Sequence, residues 1–160
     1  MTTKRDFTVD EWSRIVRAPL LAGMAVALAD PGSAGETAKE TLAALETATN
    51  APSPQELLSE VASEVRAMTQ RNESPLGGYR PAPDGGPAGD QVLAELRAVQ
   101  AVVAGKASPG EVTAFARWLV AAAEAAAHAA KEGGFLGIGG QQVSDREKAM
   151  LERVRQAVSG

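Results

Sequence analysis

Residues 108–160 read SPGEVTAFARWLVAAAEAAAHAAKEGGFLGIGGQQVSDREKAMLERVRQAVSG. The stretch is built as two helices around a glycine-rich loop. Ser108 and Glu111 stand three apart, the spacing of a capping box. The hydroxyl accepts from a backbone N–H in the first turn, and the glutamate reaches back to the cap residue's own N–H. Pro109 takes the first helical position, where a missing N–H costs nothing. Phe115, Trp118, Leu119 and Ala122 then repeat with helical period. An alanine-rich run over residues 121–130 follows, carrying Glu124 and His128, and Lys131-Glu132-Gly133-Gly134 ends it. Ser144 and Glu147 open the last helix, with Met150, Leu151, Val154 and Val158 inward.

The same cap spacing recurs upstream at Thr8/Glu11, Ser33/Glu36 and Ser53/Glu56. Its repetition, each time before a segment of helical period, predicts an all-α chain. The first helix starts at Thr8, where Phe7 and Trp12 are placed to close a hydrophobic staple. It carries Ile15, Val16, Leu20, Met24, Ala27 and Leu28 on one face, with Pro19 inside and Asp30-Pro31-Gly32 as its stop. Pro19 removes one helical hydrogen bond and predicts a kink. The second helix runs from Ser33 to about Thr49, with Ala38, Leu42 and Leu45 expected inward. The third takes Ser53 as cap and Pro54 as its first residue, and Leu57, Leu58, Val61, Val65 and Met68 form its core stripe. The fourth starts near Asp90, carries Val92, Leu93, Leu96, Val99 and Val103, and is expected to stop at Gly105. Only a few residues separate it from the fifth, so the two are expected to form an antiparallel hairpin.

Between the third and fourth helices, residues 72–89 read NESPLGGYRPAPDGGPAG. Glycine and proline dominate and no period is present, which reads as a flexible insertion. Its tyrosine, Tyr79, is a candidate docking residue for a partner. The expectation is one helical domain over residues 1–160: a bundle of about six helices, with residues 72–89 as an insertion.

A chain of 160 residues can bury roughly 70% of its unfolded surface. Cysteine is absent, which excludes disulfides, thiolate nucleophiles and cysteine-bound metals, and fits a cytoplasmic location. The N-terminal residues lack the apolar run of a secretory signal. The weakly polar segments 18–29 and 119–130 fall short of the roughly 20 apolar residues that span a bilayer. Net charge is -4 with no basic stripe, and aromatics are 4%, so nucleic acid is not an expected ligand.

Residues 12–49 and 118–158 follow one plan: a small-residue helix with a tryptophan near its start, a glycine-containing turn, a Ser-x-x-Glu cap and a second helix. This suggests two pseudo-repeated hairpin halves. At the turns, ALADPGSAGE (residues 27–36) and GGQQVSDRE (residues 139–147) resemble the "A-D-G-x-V-S-x-x-E" hallmark of the TerB-like family of helical proteins. The resemblance covers about half the chain. It implies an all-helical bacterial protein linked to tellurite or envelope stress, often near membranes, with acidic turn residues binding a divalent metal. Asp30 and Glu36 match the acidic places in the first copy. Glu147 matches in the second, where Gly139-Gly140 stands in place of the aspartate.

Read on their own, Glu124 and His128 lie on one helix face and offer an acid–base pair, the enzymatic alternative. The spacing is not the Glu-x-x-His of di-iron bundles, and the loop lacks the Gly-Lys-Ser/Thr ending of a phosphate-binding P-loop. The apolar content of that loop, Phe135, Leu136 and Ile138, is what helix building leaves unexplained. Three apolar residues among glycines either tuck into the core or form an exposed tip, and exposed apolar clusters mark interaction sites. The leading expectation is therefore a non-catalytic helical interaction or scaffold module acting through residues 133–140, with a protein partner, a second copy or a peripheral membrane contact as its target.

Overall fold

The computed structural model describes residues 2–31, 34–132 and 143–159. Among these the chain forms a short 3-10 turn at Lys4–Asp6 and six α-helices: α1 Val9–Ala29, α2 Ala34–Thr49, α3 Glu56–Gln70, α4 Ala88–Lys106, α5 Pro109–Glu132 and α6 Asp145–Ser159. They pack as an all-α bundle.

Helix α1 is the axis of the bundle and touches each of the other five. Its Thr8 cap forms as the sequence predicts: the Glu11 N–H donates to Thr8 Oγ1 at 3.1 Å, and the Thr8 N–H donates to Glu11 Oε1 at 2.8 Å. Phe7 and Trp12 close the staple with ring centroids 6.1 Å apart. The helix is continuous through Pro19, which is itself buried, together with Ile15, Val16, Leu21, Ala22, Ala25 and Val26. By length and composition α1 could cross a membrane, with a mean hydropathy of 1.2 over its most apolar window. Here its apolar surface is spent on α2, α4, α5 and α6. Each fully buried Leu, Ile or Val adds about 1.5–3 kcal/mol.

Helices α1 and α2 form one packed hairpin and α5 and α6 another, and α1 and α5 are the central pair. The packing is reciprocal, with α2 lying on α5 and α6 lying on α1. Close approach at the crossing depends on small residues. A Cβ placed on Gly23 would stand 2.6 Å from the Ala44 Cβ and 3.5 Å from the Ala126 Cβ. The alanines Ala122, Ala123, Ala126 and Ala127 of α5 are therefore core, fully shielded from solvent. The Trp118 indole N–H donates to the Thr47 carbonyl at 2.8 Å, fixing α5 against the end of α2.

Several sequence expectations are corrected. The inward face of α2 is Glu40, Ala44 and Ala48; Ala38 and Leu42 are exposed and Leu45 is half-buried. The tight crossing explains this, because only a small-residue face fits against Gly23 and Ala126. Helix α3 begins at Glu56 with Gln55 as its cap residue, not at Pro54 with Ser53. The Ser53 hydroxyl donates instead to Gln55 Oε1 at 3.1 Å. An α3 first-turn N–H, that of Leu57, is met from outside by Glu111 Oε2 at 3.4 Å. Helix α4 runs through Gly105 to Lys106. Helices α4 and α5 meet chiefly near their junction, where the Gln100 amide donates to the Val112 carbonyl at 3.2 Å. Beyond it, α4 lies against α1 and α6 rather than pairing along α5.

Between α3 and α4 the chain turns on the surface. Asn72, Gly77, Gly78 and Gly86 have positive φ. Gln91 of α4 grips this segment: its Oε1 accepts from the Ala82 N–H at 2.7 Å, and its Nε2 donates to the carbonyls of Ala82 and Gly86, both at 2.9 Å.

Candidate interaction face

The residues singled out in the sequence scatter over the bundle. Phe135, Leu136 and Ile138 lie outside the described residues. Tyr79 is half-buried against the core, and the Arg17 guanidinium stands 5.3 Å from its ring centroid. Burial, and after it the Glu95 carboxylate, push the Tyr79 hydroxyl pKa up, against the opposing pull of Arg17. The tyrosine belongs to an internal network. Arg14 grips Glu95 through Nε at 3.0 Å and Nη2 at 2.6 Å, and Arg17 adds a third bond at 3.2 Å.

Asp30 ends α1, Glu36 is in the first turn of α2, and Glu147 is in the first turn of α6. Glu147 is 1% exposed and accepts from the Ser144 N–H at 3.0 Å, the cap the sequence predicts. Among the described residues no group of three or more His, Asp or Glu side chains is placed to hold a metal ion.

Glu124 and His128 stand one turn apart on α5 and line different grooves. Glu124 Oε1 accepts from Arg155 of α6 at 2.8 Å. His128 is exposed and lines an open groove of about 560 Å³ between α2 and α5.

This groove is the feature that sequence reading missed. Helix α2 runs antiparallel to α5, with Thr47 beside Trp118 and Ala44 beside Ala126. On the outer side of that seam stand Lys39, Leu42, Ala43 and Glu46 from α2, facing Ala125 and Ala129 of α5. Leu42 is 55% exposed, in a structure whose other leucines are mostly sealed in the core. The three large apolar residues left exposed among the described residues are Val9, Leu28 and Leu42. Of these, Leu42 alone lines the α2–α5 groove. Leu28 borders a second cleft, of about 280 Å³, between α1 and α2 beside Met24, Thr41 and Leu76.

The signal for the outer stripe was present in the sequence. Helix α2 carries two stripes at helical spacing, Ala38/Leu42/Leu45 and Glu40/Ala44/Ala48. Hydrophobicity selects the first as core. The crossing with Gly23 selects the second, and that crossing is a tertiary fact.

Comparison of the chain with protein-family models, with curated proteins and with solved structures found no match.

Proposed function

We propose that this chain is a non-catalytic protein-interaction module that docks a partner on the outer face of α2. One observation carries the reading: Leu42 is 55% exposed and stands beside the groove between α2 and α5, where Ala43, Ala125 and Ala129 supply small apolar side chains. An exposed leucine alone is ordinary. A leucine beside a groove floored by small side chains forms a shaped apolar surface, and such surfaces are where proteins meet. The polar groups around it, Lys39, Glu46 and His128, suit the rim of an interface. The apolar residues Phe135, Leu136 and Ile138, a few positions beyond the end of α5, are a second contact in the same reading.

The test places a photocrosslinking amino acid at position 42, and at the exposed position 73 as control, in the full chain expressed in its native cells. Discrete covalent adducts from position 42, absent from position 73, support the reading. Equal or no adducts at both sites would end it. A Phe135→Ser, Leu136→Ser, Ile138→Ser variant, folded by circular dichroism, separates the loop from the helix: loss of adducts at position 42 makes the two parts of one contact, and unchanged adducts confine docking to α2.

A further inference from the structure

Resting on that reading, we propose that the partner is a second copy of this chain, docked by antiparallel pairing of α2 with its symmetry mate about a two-fold axis between Leu42 and Ala43. A two-fold interface must be self-complementary: every knob needs a hole, and every charge its opposite, on the same surface. The outer face of α2 meets both conditions.

The knob is Leu42, and the hole is the groove beside it, floored by Ala43, Ala125 and Ala129. Small side chains there leave the space that a leucine from the other copy fills. The charges are Lys39 and Glu46, two helical turns apart on the same side of α2. Their midpoint coincides with the midpoint of Leu42 and Ala43. Antiparallel pairing about that point therefore sets Lys39 against Glu46 of the second copy, and Glu46 against its Lys39. It also sets Ala38 against Thr47, Glu36 against Thr49 and Gly35 against Asn50, so no like charges oppose each other along the helix. Among the described residues neither Lys39 nor Glu46 makes an ion pair within its own chain. Both are available for the cross-pairing. With Ala38 and Ala43 flanking Leu42, the two helices can approach closely along their i, i+4 ridges.

The contact spans two or three helical turns and the adjoining groove, which places it with the small, readily dissociating interfaces. The test is sedimentation equilibrium of the full chain from about 5 µM to about 500 µM, a range that captures weak association. The wild type is expected to shift from monomer to dimer over this range. Leu42→Glu is expected to remain monomeric. Lys39→Glu and Glu46→Lys each place like charges in both symmetry-related contacts, and each is expected to weaken the dimer roughly tenfold or more. Mixing these two single variants restores both opposite-charge contacts and is expected to yield a heterodimer. The double variant Lys39→Glu, Glu46→Lys is expected to recover self-association. Circular dichroism spectra matching the wild type exclude misfolding as the cause of any loss. A wild type that stays monomeric overturns the inference, as does a dimer indifferent to these substitutions or a mixture that fails to associate. A monomeric wild type that still gives position-42 adducts heavier than the chain, but not at twice its mass, would overturn this inference and leave the interaction reading standing.

Discussion

The Thr2 hydroxyl donates to Glu111 Oε1 at 2.7 Å across 109 residues of chain. The same carboxylate accepts from the N–H and hydroxyl of Ser108, at 3.3 and 3.2 Å, and from the Leu57 N–H at 3.4 Å. A capping glutamate of α5 thereby also holds the N-terminal segment and supplies the start of α3 with the acceptor it lacks. Glu111→Ala, which leaves several of these donors unmet in a site 5% exposed, is expected to cost about 2–3 kcal/mol in urea unfolding.

That carboxylate also sets an acid limit. Burial raises the Glu111 pKa, but the donors from Thr2, Ser108 and Leu57 outweigh it and hold the group below its ordinary value. A pKa lower in the folded than in the unfolded state gives stability that is present above the unfolded value and lost as pH falls through the folded one. Melting temperature is therefore expected to fall as pH drops below about 4.3. A Glu111→Gln variant, less stable at neutral pH, should show a flatter decline there.

Glu95 is a second acid-sensitive point. Burial raises its pKa, yet the bonds from Arg14 and Arg17 prevail and lower it. Its side chain is 14% exposed, so the cluster is shielded enough to count. Glu95→Gln removes the charge facing two arginines and is expected to cost about 1–3 kcal/mol at neutral pH. Its effect should shrink as pH falls below the ordinary carboxylate range and through the lowered folded value, where the wild type becomes protonated as well. An equal cost at neutral and acid pH would show that packing, not charge, holds the cluster.

Gly23 tests the central crossing. Alanine is the better helix former by about 1 kcal/mol, so in an open helix Gly23→Ala would stabilise. Here the new methyl would meet the Ala44 Cβ at 2.6 Å, and the helices would have to part. The clash is expected to win, with a net loss of about 1–3 kcal/mol. Because the obstructing atom is a single methyl, Ala44→Gly in the same chain should return part of the loss, and a double-mutant cycle reads the coupling.

Leu42 and Ala44 distinguish the two faces of α2. Leu42→Gln, on the outer face, is expected to change stability by no more than about 0.5 kcal/mol. Ala44→Asp puts an uncompensated charge where exposure is 1%, and is expected to unfold the protein or cost more than about 3 kcal/mol. The reverse ranking would mean that the hydrophobic stripe of α2 is its core face after all.

What could be read from the sequence follows the range of the interactions. Caps at Thr8, Ser108 and Ser144, the Phe7–Trp12 staple and the helical class are settled within a few residues, and all are found in the structure. The orientation of α2, the start of α3 and the neighbours of α4 are not legible in local sequence because each is decided by a distant group: Gly23 and Ala126 for the first, Glu111 for the second, α1 and α6 for the third. The same reason hid the α2–α5 groove. Its parts lie about 80 residues apart in sequence, and Ala125 and Ala129 read there as an unremarkable alanine run.

The central place of α1 has a consequence for synthesis. Its apolar surface is complete once residue 29 has been added, yet α5, its partner in the central pair, begins only at Pro109. At 5–20 residues per second the ribosome takes roughly 4–16 s to bridge that gap. Over that interval a helix long and apolar enough by composition to cross a bilayer has α2, then α3 and α4, to pack against, and waits for α5. The part of α1 that α5 and α6 cover stays open until the second half of the bundle is made, so the pace of synthesis sets how long that surface is exposed.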